Sequence, residues 1–247
     1  MKIPDKFLNS IGDLVDFLRD DIGPYQGPVW YRGQCDASWA LQPRLFRDTD
    51  ATREMDYISR FKQHATLLLD RRPQTEFDWL FLMQHHGIPT RLLDWSENPL
   101  TGLYFAAESD VATDAALWVL LPTELNSKSN IRPEFEHEIP SFDDQSLLNY
   151  LPTTISRERV SRLNPVAAIA SRNSLRMQAQ QGVFTISHRD KVSIENVGEL
   201  GASRDYVWRY IIPAVDKGRL KSDLQRLGMG RFQMFPELSS IFDIIKR

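Results

Sequence analysis

Between Leu82 and Ala106 the chain reads LMQHHGIPTRLLDWSENPLTGLYFA, and this stretch limits the possible folds more than any other. Apolar periodicity predicts a helix from about residue 76 to His86, with Gly87 as its C-terminal cap. Pro89 cannot continue that helix, because it has no N–H to donate and its ring clashes with the preceding turn. TRLLDW therefore reads as a short buried strand. Asn98 and Pro99 then open a new helix, asparagine as cap and proline at the first helical position, leading into LTGLYFAAE. The order is helix, strand, helix.

The flanks fill in the rest. Ser10 followed by Asp13, with Ile11, Leu14, Val15 and Leu18 on one stripe, predicts a capped helix ending near Gly23 and Pro24. PVWYRGQ (28–34) is aromatic and β-prone, and its Gly33 would stop a strand or let another group approach the backbone. A helix is expected over about 52–70, with Met55, Ile58, Ala65, Leu68 and Leu69 inward. AALWVLLP (115–122) reads as a strand stopped by Pro122, and within the polar stretch 123–164, TELNSKSN is the most loop-like part. GVFTIS (182–187) and YVWRYIIP (206–213) read as further strands. Asp216 and Gly228 bracket a helix carrying Leu220, Leu224 and Leu227, and PELSSIFDIIK closes the chain as another. These elements lack the regular alternation of a doubly wound sheet. The expected class is α+β: an N-terminal helix over 1–24, then one domain over 25–247 with helices around a mixed, mainly antiparallel sheet.

Composition excludes some functions. The 30 basic residues are scattered among 33 acidic ones, for a net charge of -3, so no general nucleic-acid surface is indicated. A single cysteine, Cys35, allows no intrachain disulfide and no cysteine-based metal knot, which fits a reducing cytoplasm. No run approaches the ~18 apolar residues of a spanning helix, and the acidic, amphipathic N-terminus does not read as an export signal.

Three clusters can carry chemistry. In WYRGQ the guanidinium of Arg32 stands at a strand end beside Gly33, where its planar donors can fork onto a phosphate or carboxylate; Tyr31 and Gln34 flank it. The plainer reading is a turn with Arg32 salt-bridged at the surface. In the second cluster Arg91 and Asp94 stand in an apolar frame and need partners when buried: each other, a cap or a ligand; Thr90 beside them is a ligand-binding candidate. His85 and His86 project about 100° apart on a helix, so they share no metal-binding face; one is expected in the core and one at a cleft. Asp94 followed by Ser96 and Asn98 puts short hydrogen-bonding groups beyond a strand and before a helix N-terminus, a place that suits an anion or ribose hydroxyls, unless they serve capping alone. In the third cluster Gln178, Gln180 and Gln181 precede a glycine and a strand, so an amide can stand at the strand's edge.

YRGQ, then Trp39-x-Leu-x-Pro with Arg47 behind it, then HHGIPTRLLDW, Gln-x-x-Gln-Gly-Val-Phe and FPEL together resemble the FRG domain family over roughly residues 25–245, with Tyr31 where the family name has Phe. That resemblance does not by itself imply an activity. By motif order the chain is also similar to ADP-ribosyltransferases: Arg32-Gly33, then Asp94-Trp95-Ser96 with NPLTGLYFA, then QAQQGVF. This second resemblance implies an NAD-like nucleotide or dinucleotide as ligand and substrate, with no resident cofactor. It implies Arg32 on the pyrophosphate, Tyr31 or Trp95 against a ring and His85 or His86 on a ribose. The chain departs from the pattern at the catalytic acid, where Gln181 or Gln178 stands in place of glutamate. A neutral amide cannot supply a carboxylate's field for developing positive charge, so Asp94 is the substitute expected, ahead of Glu108 and Glu54. The alternatives are a sensor that binds without turnover, in a setting such as bacterial stress or phage defence, and a protein-interaction domain held together by Arg91 and Asp94.

Overall fold

The computed structural model describes residues 3–47, 53–69, 71–109, 112–129, 131, 138–157, 163–172, 174–198 and 205–245. In chain order the strands are β1 (Lys6–Phe7), β2 (Trp30–Gln34), β3 (Leu92–Ser96), β4 (Ala115–Leu120), β5 (Val166–Ala168), β6 (Gly182–Ile186) and β7 (Val207–Ile212). The helices are α1 (Ile11–Ile22), α2 (Arg44–Arg47), α3 (Glu54–Ala65), α4 (Glu76–His85), α5 (Pro99–Ala107), α6 (Pro122–Ser127), α7 (Pro152–Arg157), α8 (Leu175–Ala179), α9 (Lys217–Arg226), α10 (Arg231–Met234) and α11 (Phe242–Ile245). This is an α+β fold on one seven-stranded mixed sheet, in the order β1-β7-β4-β2-β3-β6-β5. Among the described residues, β1 pairs β7 in parallel and the other strand pairings are antiparallel.

The local signals explain the element ends that frame the site. Ser10 and Asp13 form a reciprocal capping box on α1. Gly87 turns at φ 74° after α4, a left-handed conformation that a Cβ would disfavour. The Asn98 side chain accepts from the Leu100 N–H and Pro99 occupies the first turn of α5, so the strand-to-helix corner is fixed by two adjacent residues.

The sheet is held unevenly. β2 pairs β4 through five registered residues, from Trp30↔Leu120 to Gln34↔Ala116, and β3 pairs β6 from Leu92↔Ile186 to Ser96↔Gly182. Between them, β2 and β3 meet in a single pair, Tyr31↔Ser96. The sheet is therefore two halves joined at one point. One face is continuous, covered by the cluster that includes Trp30, Leu93, Trp95, Trp118, Leu120, Ala167 and Val183. On the other face two clusters stand apart: Tyr31, Leu103, Leu117, Val119 and Tyr210 under α1, α5 and α9, and Leu80, Met83, Leu92, Val166, Phe184 and Ile186 under α3 and α4.

Gly33 keeps α5 close to the sheet. A Cβ there would lie 2.1 Å from the Gly102 carbonyl oxygen and 2.3 Å from the Ala106 nitrogen, both main-chain atoms of α5. Its absence is what lets strand and helix touch.

Several sequence expectations are corrected. TELNSKSN is not loop throughout: Pro122 opens α6, Leu125 is buried, and the buried Asn126 amide bonds the Ala167 and Glu138 carbonyls and accepts from the Ala167 N–H. Val15, Leu68 and Leu227 face solvent: Val15 lies beside the buried Leu14 on the outer side of α1, Leu68 ends a 3-10 turn at Thr66–Leu68, and Leu227 is the C-cap of α9. PELSSIFDIIK is a 3-10 turn at Leu238–Ser240 followed by the short α11. The two-residue β1 and three-residue β5 are too short to give a period and have no counterpart in the sequence reading.

Candidate functional site

Where β2 and β3 stop pairing, a cleft of about 890 Å³ opens into the sheet, between α5 on one side and α4 and α8 on the other. It brings together Tyr31, Arg32, Gly33, Gln34, His85, His86, Asp94, Trp95 and Ser96 of the sequence candidates. Thr90, Arg91, Asn98, Gln178 and Gln181 do not line it.

Arg32 bridges the gap. Its Nη1 donates to the Asp94 carbonyl at 2.6 Å, so a side chain takes up an acceptor that the interrupted ladder leaves over. It is not salt-bridged at the surface: the Nε is buried without a hydrogen-bond partner, and Arg32 forms no ion pair among the described residues. Burial lowers its pKa to about 10, an effect that Asp94 opposes and neighbouring Arg47 reinforces; the group stays cationic at neutral pH.

The Asp94 carboxylate faces the cleft and accepts from Gln84 Nε2 at 2.8 Å. The orientation of that amide is dictated locally. The Thr90 hydroxyl accepts from the Leu92 N–H at 3.2 Å and therefore spends its own proton on Gln84 Oε1, which turns the Gln84 NH2 toward Asp94. Thr90 thus acts behind the cleft, through Gln84. Gln84 was not singled out from the sequence, although its position one turn before Gly87 places it directly across from the strand that follows.

Arg91 does not pair with Asp94. It is buried at 4% exposure, forks onto Glu54 of α3 and gives Nη1 to the Ser187 and His188 carbonyls at 2.9 and 2.8 Å. The cause is strand alternation, which sends Arg91 and Asp94 into different surroundings, one enclosed and one open. Glu54 is consumed by this pair and cannot serve as a substitute acid in the cleft. Glu108 accepts from the Tyr104 hydroxyl at 3.2 Å and does not line the cleft either.

Neither cleft histidine enters the core. His85 and His86 stack edge to face at 4.9 Å on the exposed rim, and His85 titrates below its ordinary range because of partial burial, Arg176 and His86. The buried histidine is His188, 1% exposed, with its ring edge to face on Tyr150 at 5.5 Å. Trp95 belongs to the continuous face, where its indole N–H donates to Thr185 at 3.1 Å; it offers no open ring to a ligand. The Tyr31 ring sits in the cluster under α5, and burial pushes its hydroxyl up to about 12.

Ser96 donates to the Gln180 carbonyl at 2.7 Å and accepts from the Asn98 N–H at 3.0 Å, and Asn98 caps α5. Gln34 is buried, accepting from Trp118 Nε1 at 2.8 Å. Of the three glutamines near residue 180, Gln180 is the one in the cleft, with its amide given to the Met234 carbonyl at 2.9 Å. Gln178 is exposed on α8, and Gln181 takes the turn before β6 at φ 47°. The wall also holds residues the sequence reading did not select: Trp39, Phe81, Phe105, Phe184, Arg71, Arg72 and Arg176.

Residues 27–115, from just before β2 to the first residue of β4, match the family model of the FRG domain. That segment carries an FRG domain. The matched segment supplies Arg32, Trp39, Gln84 and Asp94, whereas Arg176 of α8 and Gln180 at its end lie outside it. Neither the curated proteins nor the solved structures give a match to this chain. Among the described residues, no helix is long and apolar enough to cross a membrane.

Proposed function

We propose that the cleft in this FRG domain protein binds a nucleotide or dinucleotide of the NAD type, with Arg32 on its phosphates and Asp94 facing a ribose. One observation supports this reading above the others: the half-buried Arg32 stands at the cleft with a buried, unpartnered Nε, a single neutral acceptor and no ion pair among the described residues. A buried donor left without an acceptor is costly, and a phosphate would complete this guanidinium with charge-assisted, bidentate bonds. Further cations at the rim, Arg71, Arg72 and Arg176, and the aromatic walls suit the rest of such a molecule.

In the catalytic form of this reading, the bond between ribose C1′ and the nicotinamide nitrogen breaks, the electron pair leaves with the nicotinamide, and positive charge develops on the sugar. Asp94, aimed by Gln84, supplies the negative field for that charge, and water or an acceptor nucleophile then adds to C1′. A second reading, ligand sensing without turnover, is favoured by the commitment of the Gln180 amide to the Met234 carbonyl, and by the pairing of Glu97, the glutamate bonded beside Gln181, with Arg172 outside the cleft.

Calorimetric titration of NAD into wild type, Arg32→Ala and Asp94→Ala tests both. Binding by wild type that Arg32→Ala abolishes supports the site, and absence of binding by wild type retires it. Nicotinamide release that Asp94→Ala removes supports the enzyme; binding without release supports the sensor.

A further inference from the structure

We infer that Trp39 is the stacking platform for an uncharged, electron-rich purine ring, so that the ligand lies with its purine end against Trp39 and its phosphates at Arg32. The inference rests on the nucleotide reading above and adds the class of base and its place.

Trp39 differs from every other tryptophan in the chain. It is 42% exposed, while Trp30, Trp79, Trp95, Trp118 and Trp208 are all at 6% or less. An exposed indole in the wall of a cleft is apolar surface that folding has left uncovered. The other rings in that wall are engaged: Phe81 with Phe142 and Phe184, and Phe105 with Tyr104 and Phe235.

The loop carrying Trp39 is held in place before any ligand arrives. Asp36 Oδ1 accepts from the Ser38 N–H at 2.8 Å and from its hydroxyl at 2.6 Å, and the Trp39 N–H donates to the Asp36 carbonyl. Beyond it, the Leu41 N–H donates to the Glu195 carboxylate at 3.2 Å, and Gln42 Nε2 to the Lys191 carbonyl at 3.0 Å. A platform fixed in this way adds little ordering cost to binding.

The choice of base follows from what lies over the ring. The Arg47 guanidinium sits 5.1 Å from the Trp39 ring centroid, and its Nε is buried without a partner. A cation over the ring engages its electron density, so a further partner stacks best if it is neutral and electron-rich. Arg47 is also close enough to Arg32 for their charges to interact, so this end of the cleft carries two guanidiniums. A purine with an attached phosphate satisfies both features; the pyridinium of oxidised nicotinamide would add a third positive charge there.

The test is calorimetric titration of the full chain with AMP, ADP, nicotinamide mononucleotide and inorganic pyrophosphate, on wild type, Trp39→Ala and Trp39→Phe. Wild type is expected to bind AMP and ADP more tightly than nicotinamide mononucleotide. Trp39→Ala should weaken AMP and ADP roughly five- to a hundredfold and leave pyrophosphate unchanged, while Trp39→Phe keeps most of the affinity. Undiminished AMP and ADP binding by Trp39→Ala, in a protein where Arg32→Ala abolishes it, overturns the platform and leaves the nucleotide site standing. Nicotinamide mononucleotide binding as tightly as AMP also overturns it. Failure of wild type to bind any of the nucleotides removes the site and the platform together.

Discussion

Gln84 and Asp94 lie on consecutive elements that double back at Gly87, and their side chains meet in a 2.8 Å hydrogen bond at the mouth of the cleft. Because Thr90 fixes which end of the amide faces the carboxylate, Thr90, Gln84 and Asp94 form one hydrogen-bonded unit. Gln84→Leu should lower stability by about 1–3 kcal/mol, since it leaves the buried Thr90 hydroxyl without its acceptor. Urea denaturation measures the loss. In the catalytic reading the same variant should slow nicotinamide release more than it weakens NAD binding.

Arg91→Ala should be far more damaging than any substitution at the cleft rim. Removing one partner leaves Glu54 charged and enclosed, at a cost on the order of 3–5 kcal/mol. Arg91→Met combined with Glu54→Leu should recover much of that loss, as two apolar side chains can replace a buried pair. Equal instability of the single and double variants in urea would contradict this account.

Gly33→Ala should cost about 3 kcal/mol or more, because its new Cβ meets main chain of α5 that cannot rotate away. Gly102→Ala on the facing helix should be milder, as the atom at 2.7 Å there is the Leu117 side-chain methyl, which can shift. Thermal denaturation of the two variants should rank them in that order.

His188 makes stability depend on pH. Burial holds its folded pKa at about 4, with Arg91 and Arg189 adding repulsion, against 6.5 as the ordinary value. Its full contribution to stability is present above pH 6.5. Below that the unfolded chain takes up a proton that the folded chain refuses, and stability falls until the pH reaches about 4, by a total on the order of 3 kcal/mol. His188→Phe should flatten the denaturation midpoint across this window. An unchanged slope between pH 6.5 and 4 would assign the loss to other groups.

Much of this molecule could be read locally. The boundaries of α1, α4 and α5 follow from Ser10 with Asp13, from Gly87 and from Asn98-Pro99, because each signal acts within one turn of the residue that carries it. Arg32, Asp94 and an amide near residue 180 do share one cleft, although the amide is that of Gln180. What could not be read depends on distant partners. Arg91 pairs across 37 residues with Glu54, and no periodicity announces such a match. Trp39 carries no sign in the sequence that it is the one tryptophan left open. The lapse in pairing between β2 and β3 belongs to the register of two strands, which neither strand specifies alone.

That lapse has a consequence for how recognition here would respond to change. Past the Tyr31↔Ser96 contact, the edge of β3 is met by the Arg32 side chain on the Asp94 carbonyl and not by a continuing ladder. A seam closed by main-chain bonds survives replacement of any one residue, because every amino acid but proline brings the same donor and acceptor. A seam closed by one guanidinium does not, so drift at position 32 would loosen the sheet and empty the crevice together.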